Sequence, residues 1–326
     1  MGGAWDHPEQ RPIPAERHVF CRIGDRDYGI PLLVELLGRH GFRGTFFVET
    51  LATQCLGAAD TRSIFDFLLA HKQDVQLHMH PTYFYYSEWL KARAEGAAYQ
   101  RPPSSDLIGR FPKEVQRSLF AEGVRYFEQF AGCRPTAFRA GCYAASRTTL
   151  ECLAELGMRV DSSLNPCYPD TSFPGEKFAP NQVQKIEGVW EIPVTVAVSP
   201  LPEGYNGFKF ADCTSLSAAE LETMLDAAAA AGQEHFVIVF HSFSAVKAKD
   251  VRYSEIRPNR IVIRRLERLF QYLADHSGRF EVTTLGDTAR SLETKELSPV
   301  GTIPALGLLG AAVRKGVQLW NGRYWV

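Results

Sequence analysis

The chain has 326 residues, 36 Lys+Arg against 37 Asp+Glu, a formal net charge of −1 and 45% hydrophobic residues. That length suits one large α/β domain or two ordinary ones, and so balanced a charge excludes a global attraction to nucleic acid or anionic lipid. Seven scattered cysteines with no CxxC pair read as reduced core thiols. The polar, proline-rich start carries no apolar signal core, so a cytoplasmic chain is expected.

In chain order, residues 18–24 (His-Val-Phe-Cys-Arg-Ile-Gly) predict a first strand, running into Asp25-Arg26-Asp27-Tyr28-Gly29. Pro31 suits the first turn of a helix over 32–40, which Gly41 stops. Residues 44–48 predict an apolar strand and 62–71 a helix. In 74–80, Val75, Leu77 and Met79 alternate with Asp74, Gln76, His78 and His80. The strand period of two places both histidines on one face, as a ready pair of imidazole ligands. An aromatic loop (Tyr83 to Trp89) and an irregular stretch follow, then a helix over 115–130, a strand over 136–139 and a helix over 147–156. Residues 159–161 predict a strand, 164–188 a proline-rich excursion, 189–198 a strand broken by Pro193, and 217–231 a helix with Ser217 as N-cap. A buried strand over 235–240 ends at His241; a helix over 260–274 and a strand over 279–284 complete the set.

Strands alternate with helices seven or eight times without a separating linker, which predicts an α/β fold with a parallel sheet: a distorted (β/α)7–8 barrel, with an open sheet as the alternative. The expected organisation is an extension (1–17), the barrel domain (18–296) and a C-terminal extension (297–326). Residues 301–313 are uncharged, but a bilayer span takes about 20 residues. The tail is read as packed on its own domain; peripheral membrane contact through 301–326 is the less favoured alternative. Gly24 to Gly29 is neither GxGxxG nor a P-loop, so nucleotide binding is not expected.

In such a barrel, chemistry collects at the C-terminal ends of the strands. Those ends carry Asp25 and Asp27, His78 and His80, Arg139, Asp161 and His241. Two imidazoles and a carboxylate make a facial metal site, a second carboxylate can act as base, and a histidine can protonate a leaving amine.

The ordered set Asp25-Arg26-Asp27, Gly44-Thr45-Phe46-Phe47-Val48, Val75 to Pro81, Arg139-Ala140-Gly141-Cys142-Tyr143 and Val237 to Ser242 resembles the polysaccharide deacetylases of the NodB-homology type, carbohydrate esterase family 4. The resemblance implies a hydrolase that removes an N-acyl group, usually acetyl, from a sugar in polysaccharide or lipopolysaccharide biosynthesis, lipid-linked sugars included. It implies Asp25 as general base and Asp27, His78 and His80 as ligands of a divalent transition metal, Zn2+ first, then Co2+ or Ni2+. Arg139 would orient the base, the backbone near Tyr143 would hold the oxyanion, and His241 would act as acid, steadied by Asp161 or Glu191. Two departures stand out. The histidines are two apart, where the family spaces them four apart. An alternative alignment sets Gly24 against the base and Asp25 against the ligand. Tyr83 and Trp89 offer a sugar-stacking rim or core filling. The competing readings are a catalytically silent carbohydrate-binding barrel and a deacylase of non-sugar amides.

Overall fold

The computed structural model describes residues 11–201, 207–292 and 303–323. Residues 1–10 of the expected N-terminal extension and the expected boundary at 296/297 lie outside them.

The sheet grows from one parallel pair. Strand β3 (Thr45–Glu49) runs beside β4 (Asp74–Met79), with Glu49 opposite His78. Alternation sends Val75, Leu77 and Met79 outward into a buried cluster with Phe65, Leu68, Leu119, Phe120 and Phe127. Burial of each such side chain contributes about 1.5–3 kcal/mol. The other face of β4 is polar. Gln76 accepts from the Thr136 and Ala137 amides at 3.0 and 2.8 Å and donates to Asp74 at 2.7 Å.

Before this pair come α1 (Ala15–His18), a hairpin of β1 (Arg22–Ile23) and β2 (Arg26–Asp27), and α2 (Ile30–Gly38). The strand expected over 18–24 is therefore corrected. His18 ends a helical turn, and positive φ at Cys21 (53°) and Gly24 (58°) folds 21–28 back on itself. Helices α3 (Thr53–Leu56) and α4 (Ala58–Ala70) lead into β4, and α5 (Pro81–Ala94) leaves it. The loop expected at Tyr83 to Trp89 is thus helical, with Pro81 fixing φ in the first turn.

Helix α6 (Lys113–Ala131) buries Leu119, Phe120, Val124, Phe127 and Phe130 at helical spacing and ends on left-handed Gly132. Then come β5 (Ala137–Ala140), α7 (Arg147–Glu155) behind a Ser146/Thr149 capping box, and β6 (Val160–Asp161). Strands β7 (Gln184–Ile186) and β8 (Val189–Glu191) complete a six-stranded sheet in the order β3-β4-β5-β6-β8-β7. Only β7 is antiparallel in it.

A hairpin of β9 (Val196–Val198) and β10 (Phe208–Phe210) precedes α8 (Ala218–Ala230), and β11 (Val246–Ala248) pairs with β12 (Ile256–Pro258). Helices α9 (Arg260–Asp275), α10 (Leu285–Ser291) and α11 (Leu308–Asn321) end the described chain.

Residues 235–240 form no ladder; Val239 makes an isolated parallel bridge to Asp212, and 279–284 is not a strand. The distorted barrel therefore has a seam. Packing still curls the sheet around it, since Phe47, Trp190, Val237 and Leu285 meet Ala137, Val160 and Ile192 in one apolar cluster. The start of α10 closes the lower end, where the Leu285 and Gly286 amides donate to Thr45 and Asp74. The upper end carries Glu49, the histidines and Arg139. No helix among the described residues is long and apolar enough to cross a membrane.

Candidate metal centre and active site

The upper end is built on the exit from β4. His78 Nδ1 lies 2.6 Å from the Arg139 carbonyl oxygen, which assigns the proton to Nδ1 and leaves Nε2 as the lone-pair nitrogen. Desolvation and the neighbouring His80 push His78 down to about 3. His80 stands edge-on to it, ring centroids 5.0 Å apart, and its Nδ1 lies 2.9 Å from Asp106 Oδ1. Desolvation pulls His80 down. The contacts with Asp106 and Cys142 and the charges of Asp106 and Glu49 outweigh it and hold the ring up at about 10. Asp106 is correspondingly lowered, because the same pairing overcomes its own desolvation.

Cys142 completes the group. Its Sγ is 3.6 Å from Asp106 Oδ2. It sits in a turn where Cys142 and Tyr143 both hold φ at 55°, a costly conformation for non-glycine residues and one that clusters at functional sites. Gly141 lets this turn approach the imidazole, since a Cβ there would lie 2.5 Å from His80 Nδ1. His80, Asp106 and Cys142 each offer a ligand atom, all within 4.8 Å of one another, and no other such group occurs among the described residues. Imidazole, carboxylate and thiolate together suit a borderline divalent metal such as zinc, so the residues present fit the metal that the sequence implies.

Around this centre stand further polar groups. Glu49 accepts from the Leu51 amide at 2.7 Å and from the His80 amide, and desolvation pushes it up to about 8. His18 stacks on Phe243 at 4.6 Å and is lowered to about 4 by burial, then by His241 and His80. His241, at the exposed mouth, stacks on the same ring at 5.0 Å. Its pKa is lowered by desolvation, opposed by Asp212. Tyr143, Tyr168 and Phe210 form an aromatic group beside Cys142, with centroids 5.3 to 6.4 Å apart.

The sequence-predicted residues fare differently. His78, His80, Arg139 and His241 do meet at the upper end. Asp25 and Asp27 do not join them. Asp25 is exposed in the hairpin turn, and Asp27 is held by Arg22 at 2.8 Å on the strand opposite. Of the expected ligands Asp27, His78 and His80, the structure brings the two histidines together, while the tight 21–28 turn commits Asp27 to its own hairpin; the ligand-type atoms gathered beside His80 are those of Asp106 and Cys142. Arg139 reaches Ser162, at 2.8 Å to the carbonyl and 2.7 Å to the hydroxyl, and lies over Phe47, so it does not orient Asp25. Asp161 is fully buried, bonded to Ser163 and sharing its site with Glu191; Asp212 is the carboxylate that faces His241. Of the rim aromatics, Tyr83 sits near His80 but packs into the core, and Trp89 stacks on Tyr86 and Arg93 farther along α5.

Glu49, His18, Asp106, Cys142 and Asp212 escaped sequence reasoning. Glu49 was legible in principle, since it ends strand β3 one residue beyond the apolar run. Asp106 lies in a Pro/Ser loop, where nothing in the pattern marks it.

The solved structures supply the frame. A Parabacteroides distasonis structure assigned as a glycoside hydrolase/deacetylase superposes with a TM-score of 0.57 at 12% identity, over 87% of this chain and 66% of that one. The chain shares that α/β fold. A Mycobacterium smegmatis structure assigned as a polysaccharide deacetylase follows at TM-score 0.49 and 17% identity, over 84% of this chain and 80% of that one. A family 4 carbohydrate esterase from Streptomyces lividans, in complex with acetate, gives TM-score 0.39 and 14% identity over 76% and 81% of the two chains. Neither of these two reaches a TM-score of 0.5, and the shared fold rests on the first. No family model and no curated protein matches the sequence.

Proposed function

We propose that the chain is a metal-dependent hydrolase that removes an N-acyl group, acetyl first, from a sugar destined for a polysaccharide or lipopolysaccharide. The observation that carries this reading is the donor set His80, Asp106 and Cys142, gathered within 4.8 Å at the C-terminal end of parallel strands and beside His78. The shared fold with an assigned glycoside hydrolase/deacetylase supports the substrate class.

A bound divalent metal would acidify a water and polarise the acyl carbonyl. The remaining work falls to the chain. Glu49, raised to about 8, can hold the proton taken from the attacking water on its carboxylate, while the Leu51 and His80 amides keep that carboxylate in place. The His78 Nδ1 bond to the Arg139 carbonyl holds the ring and its tautomer, leaving Nε2 as the lone-pair nitrogen beside His80. His241 at the mouth, facing Asp212, can deliver a proton to the departing amine. Tyr143, Tyr168 and Phe210 offer ring faces to a sugar, and they take the role first expected of Tyr83 and Trp89.

The test is acetate release from a panel of N-acetylated sugars after reconstitution with Zn2+. The wild type should turn over. Glu49→Gln should lose at least about a hundredfold in rate while keeping its metal, within the usual range for a general base. Release at the uncatalysed rate across the panel by metal-loaded protein would contradict the reading.

A further inference from the structure

Two loops meet beside Cys142. The 141–143 turn follows β5, and the chain leaving β6 folds back onto it. There the Thr171 hydroxyl donates to the Cys142 carbonyl at 3.0 Å and the Phe173 amide to the Ala145 carbonyl at 2.9 Å. Asn165 lies in the second loop and is 1% exposed. Its backbone amide donates to Ser172 Oγ at 2.9 Å, and its carbonyl accepts from the Tyr168 amide at 2.9 Å. That turn sets Tyr168 against the ring of Tyr143, with centroids 5.3 Å apart.

The side chain of Asn165 is held at one end. Oδ1 accepts from the Cys167 amide at 3.0 Å, an Asx turn that assigns the oxygen and sends Nδ2 the other way. Nδ2 is sealed from water and meets no acceptor at full hydrogen-bond geometry; the group it faces is the Tyr143 hydroxyl. A buried donor left unsatisfied is costly, so its place here asks what it does. The phenol oxygen can accept from Nδ2, and its own proton then points away from Asn165. Tyr143 is half-buried, and no hydrogen bond from its hydroxyl to another group occurs among the described residues. The nearby Asp212 carboxylate is engaged by the Thr214 amide at 2.8 Å and by the Thr214 hydroxyl, and Arg139 brings only donors. An acceptor for the Tyr143 proton therefore has to come from outside the chain.

We propose that Asn165 is a positioning residue that turns the Tyr143 O–H onto an acceptor oxygen of the bound sugar, so that the aromatic group grips a sugar by a polar edge as well as by ring faces. The proposal rests on the deacylase reading for the class of ligand. It is tested with tri-N-acetylchitotriose and the metal-loaded full chain, measuring the dissociation constant by calorimetry and acetate release in the same samples. Tyr143→Phe removes the hydroxyl and should weaken binding about tenfold, as for one lost hydrogen bond. Asn165→Asp keeps an oxygen for the Cys167 amide but puts an acceptor where the donor was, which draws the phenol proton inward; it should weaken binding by the same factor. Where acetate is released, both variants should raise KM and leave kcat within about twofold. The double variant should bind no more weakly than either single one, because the two residues act through one bond to the sugar. Asn165→Ser keeps an oxygen for the turn without a buried charge and should weaken binding at least about threefold, which keeps the test open if the Asp variant does not fold. The proposal is overturned if the wild type does not bind the sugar, if Tyr143→Phe or the folded Asn165 variants bind as well as the wild type, or if the losses multiply in the double variant. Sugar binding that shows these losses without acetate release would contradict the deacylase reading and leave the role of Asn165 standing.

Discussion

At Gly141 the absence of one methyl group lets the Cys142 turn close on the His80 ring. A Cβ there would meet the His80 ring at 2.5 Å, and that contact is with a ring already tied to Asp106. Gly141→Ala should therefore displace His80 or the Cys142 turn and weaken metal affinity about ten- to a hundredfold, with the fold intact by circular dichroism. A competition titration with a chelator measures it; unchanged affinity would remove Gly141 from the account. The buried Asp161/Glu191 pair makes a second residue-scale prediction. Desolvation, then the neighbouring Asp161, raises Glu191 well above its ordinary 4.5. The folded protein thus keeps a proton that the unfolded chain releases as pH passes that value. The stability this neutral carboxyl contributes is complete at lower pH and declines as pH rises. Glu191→Gln, which cannot ionise, should flatten the fall in melting temperature between about pH 5 and pH 8, and a slope equal to the wild type's would contradict the pairing. At this scale the sequence showed residue types at strand ends but not their partners. Asp27 and Asp106 are both carboxylates outside the six-stranded sheet, and only the path of the chain commits one to Arg22 and delivers the other to His80.

Among the elements, those with a clear period were legible. The alternation in 74–80 gave both the strand and the shared face of His78 and His80, and the 3.6-residue period gave α6 and α9. Residues 18–24 were not legible. Their β-branched and aromatic residues suit a strand as well as a packed turn, and the left-handed Cys21 that decides between them leaves no mark in composition. Residues 235–240 have the apolar content of a buried strand but sit at the seam of the barrel without a ladder. Single bonds from Val237 to Thr195 and from Val239 to Ala211 hold it, together with the packing of Phe236, Ile238 and Phe240 against α2, α8 and α9. Helix α6 packs elsewhere on the sheet, where Phe120 is fully buried with its ring centroid 5.0 Å from that of Phe138. Phe120→Ala should cost about 3–5 kcal/mol in urea unfolding. A loss within the range of surface substitutions would show that the α6–sheet contact is not a principal part of the core.

For the whole molecule, the lower end of the sheet is plugged by α10, and the upper end collects His18, His78, His80 and His241 with Glu49, Asp106 and Cys142. The α/β alternation was enough to predict this polarity, because parallel strands bring all their C-terminal ends to one rim. The tail was read as packed on its own domain, and α11 does pack, through Arg314 on Glu220. Arg314→Ala would leave Glu220 buried without its partner, and a loss of about 3–5 kcal/mol is expected in denaturant unfolding. His80, Asp106 and Cys142 stand close enough to hold one divalent metal through a thiolate. That capacity is tested most directly by loading the full chain with Co2+ and recording metal content and absorption for the wild type, His80→Ala and Cys142→Ser. One metal per chain with a thiolate-to-cobalt band is expected in the wild type, with loss of the metal in His80→Ala and loss of the band in Cys142→Ser. No stoichiometric metal in the wild type, or a Cys142→Ser spectrum identical to the wild type's, would contradict it.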